Sequence, residues 1–246
     1  MKAVLTYHSI DDSGSPISVS RDAFQSHVRW LASGRVRPVS LDALAMGLPG
    51  EGDAVAVTFD DGFLNIRDAV SELLSIGVPV TIFAVTGHVG GTNAWGGRDQ
   101  PGIPTLPLLG WDALTDLRHR GASIEAHTRT HPALRRLSDD EIDAEWRGCR
   151  DDLRAQLGVV SRHVAYPYGD VDDRVAARTG QALDGAFGYT TEMQTLGADD
   201  PLRMPRLDMY YFRSAGDTEG WGSASFRRRL SWIRARRRLR RLLVRQ

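Results

Sequence analysis

Seven short runs of apolar and β-branched residues recur along this chain, and stretches with helical spacing lie between most of them. The runs cover residues 4–7, 54–59, 78–85, 122–126, 163–168, 186–190 and 203–209 and predict strands. Ser20 caps a helix reaching about residue 31, with Phe24, Val28 and Leu31 on one face. Further helices are expected over 41–46, 65–76, 111–120, 138–157 and 172–178. Ser138 and Glu141 form a capping box for the longest of them. Cys149 falls on that helix's apolar stripe with Ile142, Trp146, Leu153 and Leu157, which predicts a buried thiol. Strands that alternate with helices join by crossovers into a parallel sheet, and one large α/β domain absorbs 246 residues.

The chemically loaded residues stand where these strands end. The second run, AVAVTF, stops on Asp60-Asp61-Gly62, a carboxylate pair followed by a turn residue. Neighbours on an extended backbone point in opposite directions, so the two acids can take different tasks. His127-Thr128-Arg129-Thr130-His131 follows the fourth run. Pro132 disfavours a helix at His131, so both imidazoles are expected on a loop. Two imidazoles and one carboxylate make a facial site for a divalent metal with positions left open. A spare carboxylate beside it is a base, the equipment for hydrolysing an amide or ester. His8 and Tyr168 also sit at strand exits, the place where barrel-type α/β enzymes keep their sites. Residues 86–110 have no period and are expected to form a binding or lid element.

Met1-Lys2 leads directly into the first run, with no basic-then-apolar leader, and no apolar run is long enough to span a bilayer. One cysteine excludes an intrachain disulfide. The expectation is a soluble, cytoplasmic protein. Its net charge of zero is unevenly spread: residues 227–246 hold ten Arg and no acid, while the rest carries 21 basic and 31 acidic residues. Residues 226–246 read as a basic helix with Trp232, Ala235, Leu239 and Leu242 on one face. An anionic membrane surface is the expected partner for such a tail; RNA, a partner helix and plain solvent are the alternatives.

With TFDDG, HTRTH and YPYG in this order, the chain resembles the polysaccharide deacetylase family (NodB-homology, carbohydrate esterase family 4) over about residues 1–212. The resemblance implies a distorted (β/α)7 barrel as a single domain, 1–225, with the Arg-rich tail, 226–246, as a C-terminal helix. It implies a metal-dependent enzyme that removes acetyl groups from sugars. Asp60 would be the general base, and Asp61, His127 and His131 the metal ligands. The Tyr168 N–H would face the tetrahedral oxyanion. The family's usual Arg before Pro-Tyr-Gly is replaced here by Ala165, and its late Leu-x-His is absent. His8 and Arg206, in Met204-Pro205-Arg206, match members with a permuted motif order, as general acid and as partner of the base. Zn2+ is the expected metal, with Co2+, Ni2+, Mn2+ and Fe2+ also suited to these donors. The expected substrate is an N-acetylated sugar or glycoconjugate, lipid-linked or soluble, and no nucleic acid is expected. A deformylase or amidase, or a carbohydrate-binding protein without catalysis, are the alternatives. The oligomeric state is left open.

Overall fold

A computed structural model describes residues 1–47, 50–214 and 216–243, the side chains of 238–243 excepted. Ten strands alternate with seven helices among the described residues. The strands are β1 (Lys2–Tyr7), β2 (Ser9–Ile10), β3 (Ser18–Val19), β4 (Arg37–Pro38), β5 (Ala54–Phe59), β6 (Val80–Ala84), β7 (Ser123–Ala126), β8 (His163–Ala165), β9 (Phe187–Tyr189) and β10 (Leu207–Asp208). The helices are α1 (Arg21–Ala32), α2 (Leu41–Ala45), α3 (Arg67–Ser75), α4 (Trp111–His119), α5 (Asp139–Leu157), α6 (Asp173–Ala182) and α7 (Ala224–Leu243).

Seven strands pair in parallel in the order β10-β1-β5-β6-β7-β8-β9, and β4 adds to the start of β5. A parallel bridge between Tyr189 and Met204 draws the two ends together. There the Met204 N–H donates to Gly188 O at 2.7 Å and the Thr190 N–H to Met204 O at 2.9 Å. The result is the expected distorted seven-stranded barrel, irregular because β8, β9 and β10 are only two or three residues long. Alternation along each strand sorts the core into two layers. Leu5, Tyr7, Val57, Phe59, Ile82, Ala84, Ile124 and Ala126 face outward and pack under the helices. Val4, Ala54, Ala56, Phe83, Ala165, Tyr189 and Met204 fill the interior, with Leu41 and Leu44 of α2 against them. Phe83 is fully buried there, so truncating it to Ala should cost about 3–5 kcal/mol. The same period of two sends Thr6 and Thr58 inward above that layer, their hydroxyls 3.1 Å apart, and then His8 and Asp60 one step higher.

Three boundaries differ from expectation, one of them the end of α6, expected near 178 and found at Ala182. The run over 163–168 stops being a strand at Ala165, because Pro167 has no N–H for the ladder and Tyr168 turns back at φ 60°. The run over 203–209 pairs as a strand only at Leu207–Asp208. β2, β3 and β4 were not expected; two residues are too few to show a period.

α7 lies along the barrel. Phe226, Leu230 and Ile233 are buried, and Phe226 stacks on Phe212 with ring centroids 5.3 Å apart. Trp232 and Ala235 point away from the domain. The side chains of Leu239 and Leu242, assigned to the same face, lie outside the described residues.

Candidate metal centre and active site

Asp61, His127 and His131 converge at the C-terminal end of the barrel. Asp61 Oδ1 lies 3.2 Å from Nε2 of both histidines. All three potential ligand atoms fall within 4.8 Å of one another, and all three residues are buried. The sequence reaches this arrangement through backbone torsion. His127 continues the inward alternation of β7, whereas Asp61 and His131 adopt φ 67° and φ 60°, unusual for residues with a Cβ. Thr128 and Tyr168 are the other non-glycine residues with positive φ among those described, at 64° and 60°. All four stand at this one end, where local backbone strain has a use in holding groups in place.

The donor set fits a divalent cation. The His127 Nδ1–H donates to Ala165 O at 2.8 Å, which fixes the tautomer and turns a bare Nε2 toward Asp61. Asp61 Oδ1 is buried and accepts no hydrogen bond among the described residues. A buried carboxylate oxygen left without a donor, facing two imidazole nitrogens, calls for a positive charge between them. Burial pushes the Asp61 carboxyl up, but the adjacent histidines outweigh it and hold it well below the usual carboxylate value. Burial lowers the His131 imidazole, against the pull of Asp61. For His127, burial is outweighed by the neighbouring carboxylates Asp61 and Asp60, and its value is raised.

Asp60 stays out of this group. Arg206 binds it through both oxygens, Nη1 to Oδ1 and Nη2 to Oδ2, each at 2.7 Å, in a fully buried pair. The guanidinium is itself held by Thr190 O at 3.2 Å and lies 5.5 Å from the Phe83 ring centre. Burial raises the Asp60 carboxyl; Arg206, His127 and His8 together bring it below the ordinary value, so it is an anion at neutral pH. His8 Nε2 sits 3.8 Å from Asp60 Oδ2, with its side chain 21% exposed, and so reaches both the acid and the solvent. Tyr168 closes the far side, its ring centroid 4.7 Å from that of His131. In its turn Gly169 N–H donates to Tyr166 O and Asp170 N–H to Pro167 O; among the described residues no backbone acceptor takes the Tyr168 N–H. Thus all seven residues singled out from the sequence meet at one end of the barrel.

Supporting residues were not anticipated. Glu145 of α5 grips the loop between the histidines: Oε2 accepts the N–H groups of Arg129 and Thr130 at 2.9 and 2.8 Å, and Oε1 accepts the Thr130 hydroxyl at 2.6 Å. Thr128 Oγ1 accepts the His131 N–H at 3.0 Å. Gly87 lets the loop approach, since a Cβ there would stand 2.6 Å from Arg129 O. Trp95 packs on the His131 ring at 4.5 Å, which is how the 86–110 segment reaches the site. The contacts of Glu145, Gly87 and Trp95 have no local sequence signal, because each joins residues far apart in the chain. His163 and His27 are structural. His163 bonds the Tyr189 hydroxyl and Asp42, and His27 bonds Tyr7 and Phe212 O.

Known proteins carry the same arrangement of elements. The structure of IcaB from Ammonifex degensii superposes with a TM-score of 0.72 at 21% identity, covering 95% of this chain and 97% of that one. The Streptococcus pyogenes deacetylase PplD, solved with acetate, gives a TM-score of 0.70 at 20% identity over 84% and 91% of the two chains. In sequence, the poly-beta-1,6-N-acetyl-D-glucosamine N-deacetylase of Staphylococcus epidermidis is 25% identical over 205 residues, 77% of this chain and 67% of that one. Residues 48–183 match the family model for polysaccharide deacetylases. That match spans more than half the chain and contains TFDDG, both histidines and YPYG, so the chain belongs to the polysaccharide deacetylase family of carbon–nitrogen hydrolases.

Proposed function

We propose that the protein removes an N-acetyl group from a sugar or glycoconjugate, with Asp61, His127 and His131 holding a divalent cation, Zn2+ in first place. The observation that supports this reading best is the division of labour between adjacent acids. Asp61 faces the histidines, while Asp60 is kept apart, ionised and oriented by Arg206. A divalent cation bound there supplies Lewis acidity toward the acetyl carbonyl and toward water.

The chain's own groups then do the following. Asp60 accepts a proton from the water that attacks the acetyl carbon, and Arg206 keeps the carboxylate aimed. The Tyr168 N–H donates to the oxyanion of the tetrahedral adduct; one such donor is worth about 3–4 kcal/mol in other hydrolases. The carbon–nitrogen bond breaks as protonated His8 gives its proton to the departing nitrogen, since an amine anion does not leave unaided. The products are acetate and a free amino sugar. Asp60 and His8 stand 3.8 Å apart, beyond hydrogen-bond reach, and His8 is 21% exposed, so the proton gained by Asp60 returns to His8 by way of water between turnovers.

A lipid-linked or soluble acetylated glycoconjugate is the preferred substrate. The related Staphylococcus epidermidis protein is named for N-acetylglucosamine in a polymer, which makes N-acetylglucosamine oligomers the first compounds to assay. A deformylase or amidase keeps the same machinery; a binding protein has no need of Asp60 and Arg206. The test measures acetate and formate release from N-acetylated and N-formylated glucosamine compounds, with and without chelator. Acetate release that chelator stops and Asp60→Asn lowers at least about a hundredfold is expected. Formate alone would shift the acyl group, and neither product from any of these compounds would overturn the reading.

A further inference from the structure

α7 is used by the domain on one face. With 3.6 residues per turn, positions 226, 230, 233 and 237 lie within an arc of roughly 60°. Three of them are the buried Phe226, Leu230 and Ile233. Arginines on and beside that face are met by acids of the barrel: Arg229 by Asp217, Arg234 by Glu192 at 3.9 Å and Arg237 by Asp208 at 3.4 Å. The opposite face carries Arg228, Trp232 and Ala235, with Arg236 on its flank, all exposed. Trp232 is 58% exposed, and the Arg236 guanidinium rests 4.5 Å from its ring centre. Arg228 has no ion pair among the described residues. The same spacing continues in the sequence at Leu239 and Leu242, and no acid occurs anywhere in 227–246.

We propose that this outward face of α7 is an adsorption surface for an anionic lipid bilayer. The chemistry of the stripe selects that occupant. An exposed indole between guanidinium groups suits the headgroup boundary, where the ring contacts acyl carbon and the cations meet phosphates. Ten arginines without one acid give a cationic segment in a chain whose remainder is acidic. A polynucleotide would use the charge but has no use for an aliphatic stripe one residue wide.

The placement of the helix relative to the site follows from its contacts. Arg227 lines a cavity with Met1 and Lys2 at the entry end of β1. Arg237 bonds Asp208, which pairs with Thr6 two residues below His8. α7 therefore runs up the barrel wall toward the level of the site. A bilayer along its outer face lays the barrel on its side, with the mouth opening along the membrane, so a lipid-linked sugar would reach it without leaving its leaflet.

The experiment sediments the full chain with vesicles of phosphatidylcholine alone, or of phosphatidylcholine with phosphatidylglycerol. Binding to the anionic vesicles only, weakened by salt, is expected. Each arginine near such a surface contributes about fivefold in partitioning, so Arg228→Gln with Arg236→Gln should lower it roughly 25-fold. Arg228→Lys with Arg236→Lys should retain it. Trp232→Ser should weaken adsorption and Trp232→Phe should preserve it. Equal binding by wild type and the double Gln variant, no binding to anionic vesicles, or tighter binding to an RNA oligonucleotide than to vesicles would each overturn the proposal. Adsorption is read without turnover, so its failure leaves the deacetylase reading intact.

Discussion

Replacing Arg206 by Leu removes the partner of the most deeply buried acid in the site. Both Asp60 oxygens lose a 2.7 Å bond, and the carboxylate, 2% exposed, keeps its charge or takes up a proton at a cost. Breaking a buried pair from one side costs about 3–5 kcal/mol, and the two-oxygen geometry places this case toward the upper end. A second change distinguishes charge from packing. In Arg206→Leu with Asp60→Asn no uncompensated charge remains, so most of the loss should return, with a coupling of about 2 kcal/mol or more. Urea unfolding at neutral pH in the presence of chelator reads this without interference from a cation. With a slope of about 2–3 kcal/mol/M, the single Arg206 variant should unfold at a midpoint roughly 1–2 M lower. A single variant within about 0.5 kcal/mol of wild type, or a double variant no better than the single, would refute the reasoning, because Asp60 would then not depend on Arg206 for its charge.

Four further outcomes follow from the same geometry. Asp60→Asn should bind Zn2+ as wild type does yet lose about 10²–10⁴ in turnover, measured by calorimetry and acetate release together. Glu145→Ala removes three hydrogen bonds from the 128–131 loop and should weaken Zn2+ binding about tenfold or more, while Glu145→Gln should lose less; calorimetry reads both. Gly87→Ala should push Arg129 O, and the 128–131 loop with it, away from residue 87 and lower the melting temperature as well as Zn2+ affinity, read by a thermal scan and calorimetry. Burial raises the Asp11 carboxyl, but hydrogen bonds from Ser13, Ser9 and Ser18 bring it below its ordinary value. Its contribution is therefore present above the ordinary carboxylate range and lost as pH falls through the folded value. The stability gap between wild type and Asp11→Asn should close on acidification, as urea midpoints at several pH values would record.

The barrel was legible where periodicity was long. β5, with its alternating AVAVTF, and α5, with its capping box and apolar stripe, were read nearly to the residue. β8 and β10 were overextended because apolar runs around Pro167 and Pro205 look like strands until torsion is known. Asp60, Asp61, His127, His131, His8 and Tyr168 declared themselves by chemistry at strand ends, whereas Arg206, and the acid role of His8, came only through resemblance to relatives with a permuted order. Glu145, Thr128 and Trp95 were silent, since a helix acid, a loop hydroxyl and a loop indole have many ordinary uses. α7 was read for its outward stripe, while the face that docks through Phe226, Leu230 and Ile233 went unnoticed among the arginines.

The account turns on whether Asp61, His127 and His131 share one cation while Asp60 does not. Equilibrium dialysis against Zn2+ followed by elemental analysis addresses this directly. Wild type and Asp60→Asn should each retain one ion per chain, and Asp61→Ala should retain none. A wild-type protein that leaves dialysis empty, or an Asp61→Ala variant as fully loaded as wild type, would contradict it.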